Sequence, residues 1–262
     1  LSELTRSGLK WSREETIVAF DLYTRTSFGK ISSTNIDVIN LATLLRRTPN
    51  SVALKMHNLA HFDPALRKRN VMAMSHGSKL DSSIWEEFND DWDELAVQAR
   101  YILEKLNEES CDKLTLNPEV ELYPEGLDKE QLARNRIGQY FFRMAVLSAY
   151  DNRCCITGLA IPELLIASHI KPWKDSDIKT ERTNPMNGLA LNALFDKAFD
   201  RGLITINLDY KIFISSRIKP TLVGNAVEDW MLSYAGRKII LPNRFLPKKE
   251  FLEYHNDFIF VD

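Results

Sequence analysis

Apolar residues recur at helical spacing through the first quarter of the chain. In WSREETIVAFDLYTRT (11–26), Ile17, Phe20, Leu22 and Tyr23 fall on one helical face. Ser12, with Glu15 three residues on, forms a capping box at its start, and Trp11 precedes the cap. NIDVINLATLLRR (35–47) carries a second helical period. TPNSVALKMHNLAHF (48–62) opens a third helix, with Thr48 ahead of Pro49 in the first turn and Val52, Met56 and Leu59 on one side. Residues 64–84 read as a connection containing the basic run RKRN. SIWEEFNDDWDELAVQARYILEKLNEE (83–109) then predicts one long helix, acidic at its N-terminal end, with Trp85, Phe88, Trp92 and Leu95 as its core stripe.

The pattern breaks at 110–128, where two prolines and no helical period suggest a linker. A second long helix follows in KEQLARNRIGQYFFRMAVLSAY, with Ile137, Phe141, Met144, Ala145 and Leu147 as its apolar period. ELLIASHI (163–170) reads as a strand, and LNALFDKAFDRG as a short helix ended by Gly202. LITINLDYKIFIS (203–215) alternates and turns at Asp209–Tyr210, the signature of a hairpin. The expected class is α+β. A helical region over 1–109 is followed by a linker at 110–133 and a mixed domain over 134–262.

Charge changes this picture. The 262 residues sum to −2, but residues 1–70 carry +5, residues 71–133 carry −11 and residues 134–262 carry +4. Basic ends around an acidic middle suit a polyanion such as nucleic acid. No apolar run approaches the ~18 residues of a membrane span, and the first ten residues lack the apolar core of a secretory leader. Three cysteines, Cys111, Cys154 and Cys155, are few and odd in number. They suggest a reducing, cytoplasmic setting, with the adjacent pair as small buried hydrophobes. The three N-terminal helices, with WSREE and LATLLRRTPNSVALKMHNL, resemble a helix-turn-helix or Myb-like module. A helical docking or dimerisation role is equally open.

Candidate chemistry lies between 154 and 206. His169 closes an apolar strand and opens a polar loop. Asn187–Gly188 ends that loop. Asp196 and Asp200, four apart, share one face of the short helix. Two like charges at that spacing cost stability unless a cation lies between them. Carboxylate oxygens suit Mg²⁺ or Mn²⁺ rather than a structural zinc.

The stretch AYDNRCCITGLAIPELLIASHIKPWKDSDIKTERTNPMNGLALNALFDKAFDRGLITIN, preceded by RNRIGQYFFRMAVL, resembles the HNH endonucleases in their restriction-enzyme-like branch. The likeness covers roughly residues 134 to 215. It implies a ββα-metal finger with a catalytic pair. His169 would be the general base, with the pKa of about 6.5 of a free imidazole. Asn187 would tie the loop to the strand and so orient the histidine. Asp196 and Asp200 would hold one divalent cation, Mg²⁺ or Mn²⁺.

The sequence departs from that pattern in three ways. Phe195 and Asp196 stand where a third-letter histidine would be sought, and Asp196 is the better ligand. Ser168 occupies a position where many relatives carry a stronger metal ligand. No second cysteine pair follows Cys154–Cys155, so no structural zinc is expected. Arg153, Lys171, Lys174, Arg182, Lys197 and Arg201 are candidates for phosphate contacts. The expected partner is DNA. The expected role is restriction or defence, with the N-terminal helices as target-recognition module and a homodimer for cutting both strands. A catalytically silent DNA-binding protein of the same fold, or a nonspecific nuclease or RNase, is the alternative.

Overall fold

The computed structural model describes residues 8–68, 77–108, 129–218 and 230–262. The stretch 110–128, Cys111 and Arg69 of the basic run lie outside the described residues. The N-terminal region is helical: α1 (Arg13–Arg25), α2 (Ile36–Leu44), α3 (Pro49–Ala60), a single turn α4 (Pro64–Lys68), α5 (Lys79–Phe88) and α6 (Trp92–Glu108). Then come α7 (Lys129–Ala149), β1 (Leu165–His169), β2 (Gly188–Asn192), α8 (Ala193–Asp200), β3 (Ile204–Ile206), β4 (Ile212–Ile214) and α9 (Lys249–Tyr254). A π-helical turn over His255–Ile259 continues α9.

Local sequence accounts for most starts and stops. The Ser12–Glu15 capping box opens α1, and Thr48 caps α3 with Pro49 in its first turn. The stretch expected as one long helix is two, α5 and α6. Asn89 closes α5, and the Asp91 carboxylate accepts the Glu94 N–H at 3.1 Å, which caps a new start for α6. Trp85, Phe88, Trp92 and Leu95 are nonetheless all buried, so the core stripe survives the break. The connection expected over 64–84 is likewise shorter, holding α4 and the start of α5.

The core centres on α1, whose residues 15–24 are all buried. It packs on α3, α5, α6 and α7. Phe20, Tyr23, Trp85 and Trp92 cluster there, and Trp92 also meets Phe141 of α7 and Phe245 of the C-terminal segment. Arg244, fully buried, fixes that segment to the end of α1. Its guanidinium donates to the carbonyls of Tyr23 (2.6 Å), Thr26 (2.7 Å) and Thr24 (3.3 Å) and lies over the Tyr23 ring. These carbonyls lie at the end of α1, where intrahelical donors run out, and the negative end of the helix dipole faces the cation. The helical region and the C-terminal half therefore share one apolar core. Among the described residues, no helix is long and apolar enough to cross a membrane.

Candidate active site

The site is built on β1, β2 and α8. β1 and β2 pair antiparallel, with Ser168 opposite Leu189 and His169 opposite Gly188. β2 is buried along its whole length and runs directly into α8, which Asn192 caps by accepting the Phe195 N–H at 3.0 Å. The β1–β2 connection, residues 170–187, is held from below by Asn187, which is fully buried. Its Oδ1 accepts the Lys171 N–H at 2.8 Å. Its Nδ2 faces the Lys171 carbonyl (3.1 Å), the Ser176 hydroxyl (3.3 Å) and the Glu181 carbonyl (3.3 Å). One amide thus ties both limbs of the loop together, and Ile170 N–H adds a bond to the Asn187 carbonyl at 2.9 Å.

His169 is gripped on three sides. Its ring stacks on Phe142 of α7, centroids 3.7 Å apart and planes 10° from parallel. Trp173 meets it edge-on at 5.5 Å. Nε2 lies 2.8 Å from the Arg182 carbonyl, which can only accept, so Nε2 carries the proton. Nδ1 keeps its lone pair, has no hydrogen-bond partner among the described residues and is not sealed from solvent. Burial lowers the imidazole pKa to about 4, the Arg182 carbonyl offsetting a part. This corrects the expectation of an ordinary imidazole near 6.5: the ring is neutral over the whole neutral range because it is desolvated.

The two helical carboxylates lie as the spacing suggested. Asp196 is pushed above the usual carboxylate range by burial and by the negative charge of Asp200, with Ser168 and Lys197 pulling the other way. Burial also raises Asp200, against Lys197 and Arg201. Phe195, the neighbour of Asp196, is fully buried, edge-on to Tyr234, and offers no ligand. Ser168 is buried beside Asp196, and its Oγ makes no hydrogen bond of good geometry. An orphaned hydroxyl beside the Asp196 carboxylate, with Asp200 one helical turn on, offers oxygen donors of the kind that suit a hard cation with water completing its shell. Among the described residues, no group of three or more His, Cys, Asp or Glu side chains is gathered to hold a metal.

Residues 154–207 match the family described as HNH endonuclease. The chain thus carries an HNH endonuclease domain in its C-terminal half, within a mixed arrangement of helices and small sheets. No curated protein matches the chain. Within the HNH segment, Cys154 and Cys155 are both buried and unbridged.

The basic candidates divide into two groups. Lys171 pairs with Glu181 at 2.6 Å and lies over the Tyr254 ring. Arg182 donates from Nε to the Ser176 carbonyl at 3.1 Å and lies over Trp173. Both are committed to bracing the loop. Arg153, Lys174, Lys197 and Arg201 are exposed. Sequence reasoning missed Phe142, the Arg182 carbonyl and Arg143, which donates to the Leu165 carbonyl at 3.0 Å and so fixes the start of β1 to α7. The doubled Phe141–Phe142 was the available signal: a helix with one buried stripe needs only one of the two.

Proposed function

We propose that the protein is a metal-dependent endonuclease that hydrolyses DNA phosphodiester bonds, in a restriction or defence role, with the N-terminal helices selecting the target. One observation carries the reading: within the HNH segment, a neutral histidine with a free Nδ1 lies at the end of β1, the strand that places Ser168 beside Asp196 of α8.

The chemistry follows from these groups. Nδ1 of His169 takes a proton from a water whose oxygen attacks phosphorus, and the leaving 3′ oxygen departs with the electron pair of the broken P–O bond. The imidazolium so formed keeps its Nε2–H on the Arg182 carbonyl, which stabilises it. Asp196, Asp200 and Ser168 would hold the divalent cation, Mg²⁺ or Mn²⁺. When bound, it would supply Lewis-acid stabilisation of the phosphate and the leaving oxygen. The exposed cations Arg153, Lys174, Lys197 and Arg201 would meet backbone phosphates. One finger has one base and cuts one strand, so two copies of the chain would cut a duplex.

The test is cleavage of modified and unmodified genomic DNA with Mg²⁺ or Mn²⁺, with EDTA as control. Discrete fragments that EDTA abolishes support a specific endonuclease, and the DNA that is cut tells whether modification is read. A smear points to a nonspecific nuclease. A second reading, a DNA-binding protein without catalysis, is favoured by the thin ligand set at Ser168; retained binding with no cleavage on any DNA or RNA substrate would establish it.

A further inference from the structure

A glycine stands in the middle of α7, where any residue but proline would favour the helix more. The reason is contact. A Cβ on Gly138 would sit 2.8 Å from the Thr183 Cγ2 methyl and 3.1 Å from Asp93 Oδ1. Thr183 belongs to the β1–β2 connection and directly follows Arg182, whose carbonyl receives the His169 Nε2–H. Thr183 is buried and its Oγ1 has no hydrogen-bond partner, so packing alone seats its side chain, while Arg182 beside it is held by its N–H on the Asp177 carbonyl at 3.0 Å. One turn along the same face of α7, Phe142 carries the His169 ring. A second close approach adjoins it: a side chain on Gly188, the partner of His169 across the sheet, would meet Val146 and Phe142.

We propose that Gly138 is a positioning residue for the general base: by admitting Thr183 against α7 it sets the Arg182 carbonyl at the distance that holds His169 as the Nε2–H tautomer with Nδ1 free. The proposal rests on the nuclease reading for its catalytic consequence but not for its structural one. If the contact is cut to fit, an added methyl displaces the 182–183 segment, the tautomer is no longer fixed, and the base is mispointed. Removing the opposing methyl restores the space on the Thr183 side, and the Asp93 carboxylate has only to give by a few tenths of an ångström.

The test uses Gly138→Ala, Thr183→Ser and the double variant G138A/T183S in the full chain, with two readouts. The first is the ¹⁵N–¹H spectrum of the His169 imidazole: wild type and Thr183→Ser show a single Nε2–H tautomer with a protected ring proton. Gly138→Ala shows mixed tautomers and fast exchange, and the double variant returns to a single tautomer. The second is single-turnover cleavage: Gly138→Ala falls roughly tenfold to a hundredfold with DNA affinity within about threefold of wild type, and the double variant recovers most of that loss. Melting temperatures, taken alongside, rise or hold in the double variant, as alanine in a helix interior dictates. A Gly138→Ala protein with an unaltered imidazole spectrum overturns the proposal, as does a double variant that stays as perturbed as Gly138→Ala. Should the wild type cleave nothing, the nuclease reading fails while the spectrum still decides the role of Gly138.

Discussion

Replacing Asn187 by alanine removes a fully buried side chain that ties both limbs of the loop carrying the His169 acceptor. The amide accepts one backbone N–H at 2.8 Å and donates toward two carbonyls and a hydroxyl at 3.1–3.3 Å, from a fully buried position. Two amide hydrogens serve three acceptors, so about three effective hydrogen bonds are lost. At about 1 kcal/mol each, plus up to about 1 kcal/mol for the part-buried Lys171 N–H left without a partner, the loss is roughly 3–4 kcal/mol. Asn187→Asp keeps the acceptor for Lys171 but turns a carboxylate oxygen toward the Lys171 and Glu181 carbonyls, so it rescues little. Urea unfolding followed by tryptophan fluorescence reads the stability change, and single-turnover cleavage below the unfolding transition reads the function. The expected outcome is a midpoint shift equivalent to about 3–4 kcal/mol and a rate loss of about a hundredfold, with DNA affinity little changed. A full stability loss with an unaltered cleavage rate would refute the claim that Asn187 orients the base. No stability loss would refute the hydrogen-bond account itself.

Acid should destabilise the protein through two histidines. His169 and His255 both have pKa values lowered to about 4 by burial, against about 6.5 in an unfolded chain. Between those values the unfolded chain binds more protons, so stability rises with pH from about 4 to about 6.5 and is lost as pH falls through that window. The limit is on the order of 3 kcal/mol per buried histidine, less for the partly exposed His169. His255→Gln should flatten the dependence of the urea midpoint between pH 4.5 and 6.5, and an unchanged slope would count against it. Arg244→Met should cost at least about 3 kcal/mol in urea unfolding, because three C-terminal carbonyls of α1 lose a buried cationic donor; a loss under about 1 kcal/mol would show that water replaces it. Asp196→Asn should weaken Mn²⁺ binding at least tenfold by calorimetry while raising the metal-free melting temperature slightly, since Asp196 ionises against burial and Asp200. Unaltered Mn²⁺ affinity would remove Asp196 from the ligand set.

Where a feature depends on neighbours in sequence, the sequence shows it. The capping box at Ser12, Pro49 in the first turn of α3, and the order strand–histidine–loop–asparagine–helix are local patterns with local causes. The break between α5 and α6 was equally local but hidden, because the apolar stripe keeps its period across Asn89–Asp91 and only the Asp91 cap betrays it. What makes His169 unusual could not be read, since Phe142 is distant in the chain and the acceptor is a backbone carbonyl, which every residue has. The same holds for Arg244, a surface-type residue that reaches the end of α1 across 221 positions of the chain. Arg182 shows the converse: its charge suggested a phosphate contact, while its backbone holds the base and its side chain braces the loop.

The most direct measurement compares single-turnover DNA cleavage by wild-type protein and His169→Ala with Mg²⁺ or Mn²⁺, alongside DNA affinity. A group that acts on the attacking water leaves ground-state binding alone. The account predicts a rate loss of about a hundredfold to ten-thousandfold with affinity within threefold of wild type. Cleavage by His169→Ala at the wild-type rate would contradict it.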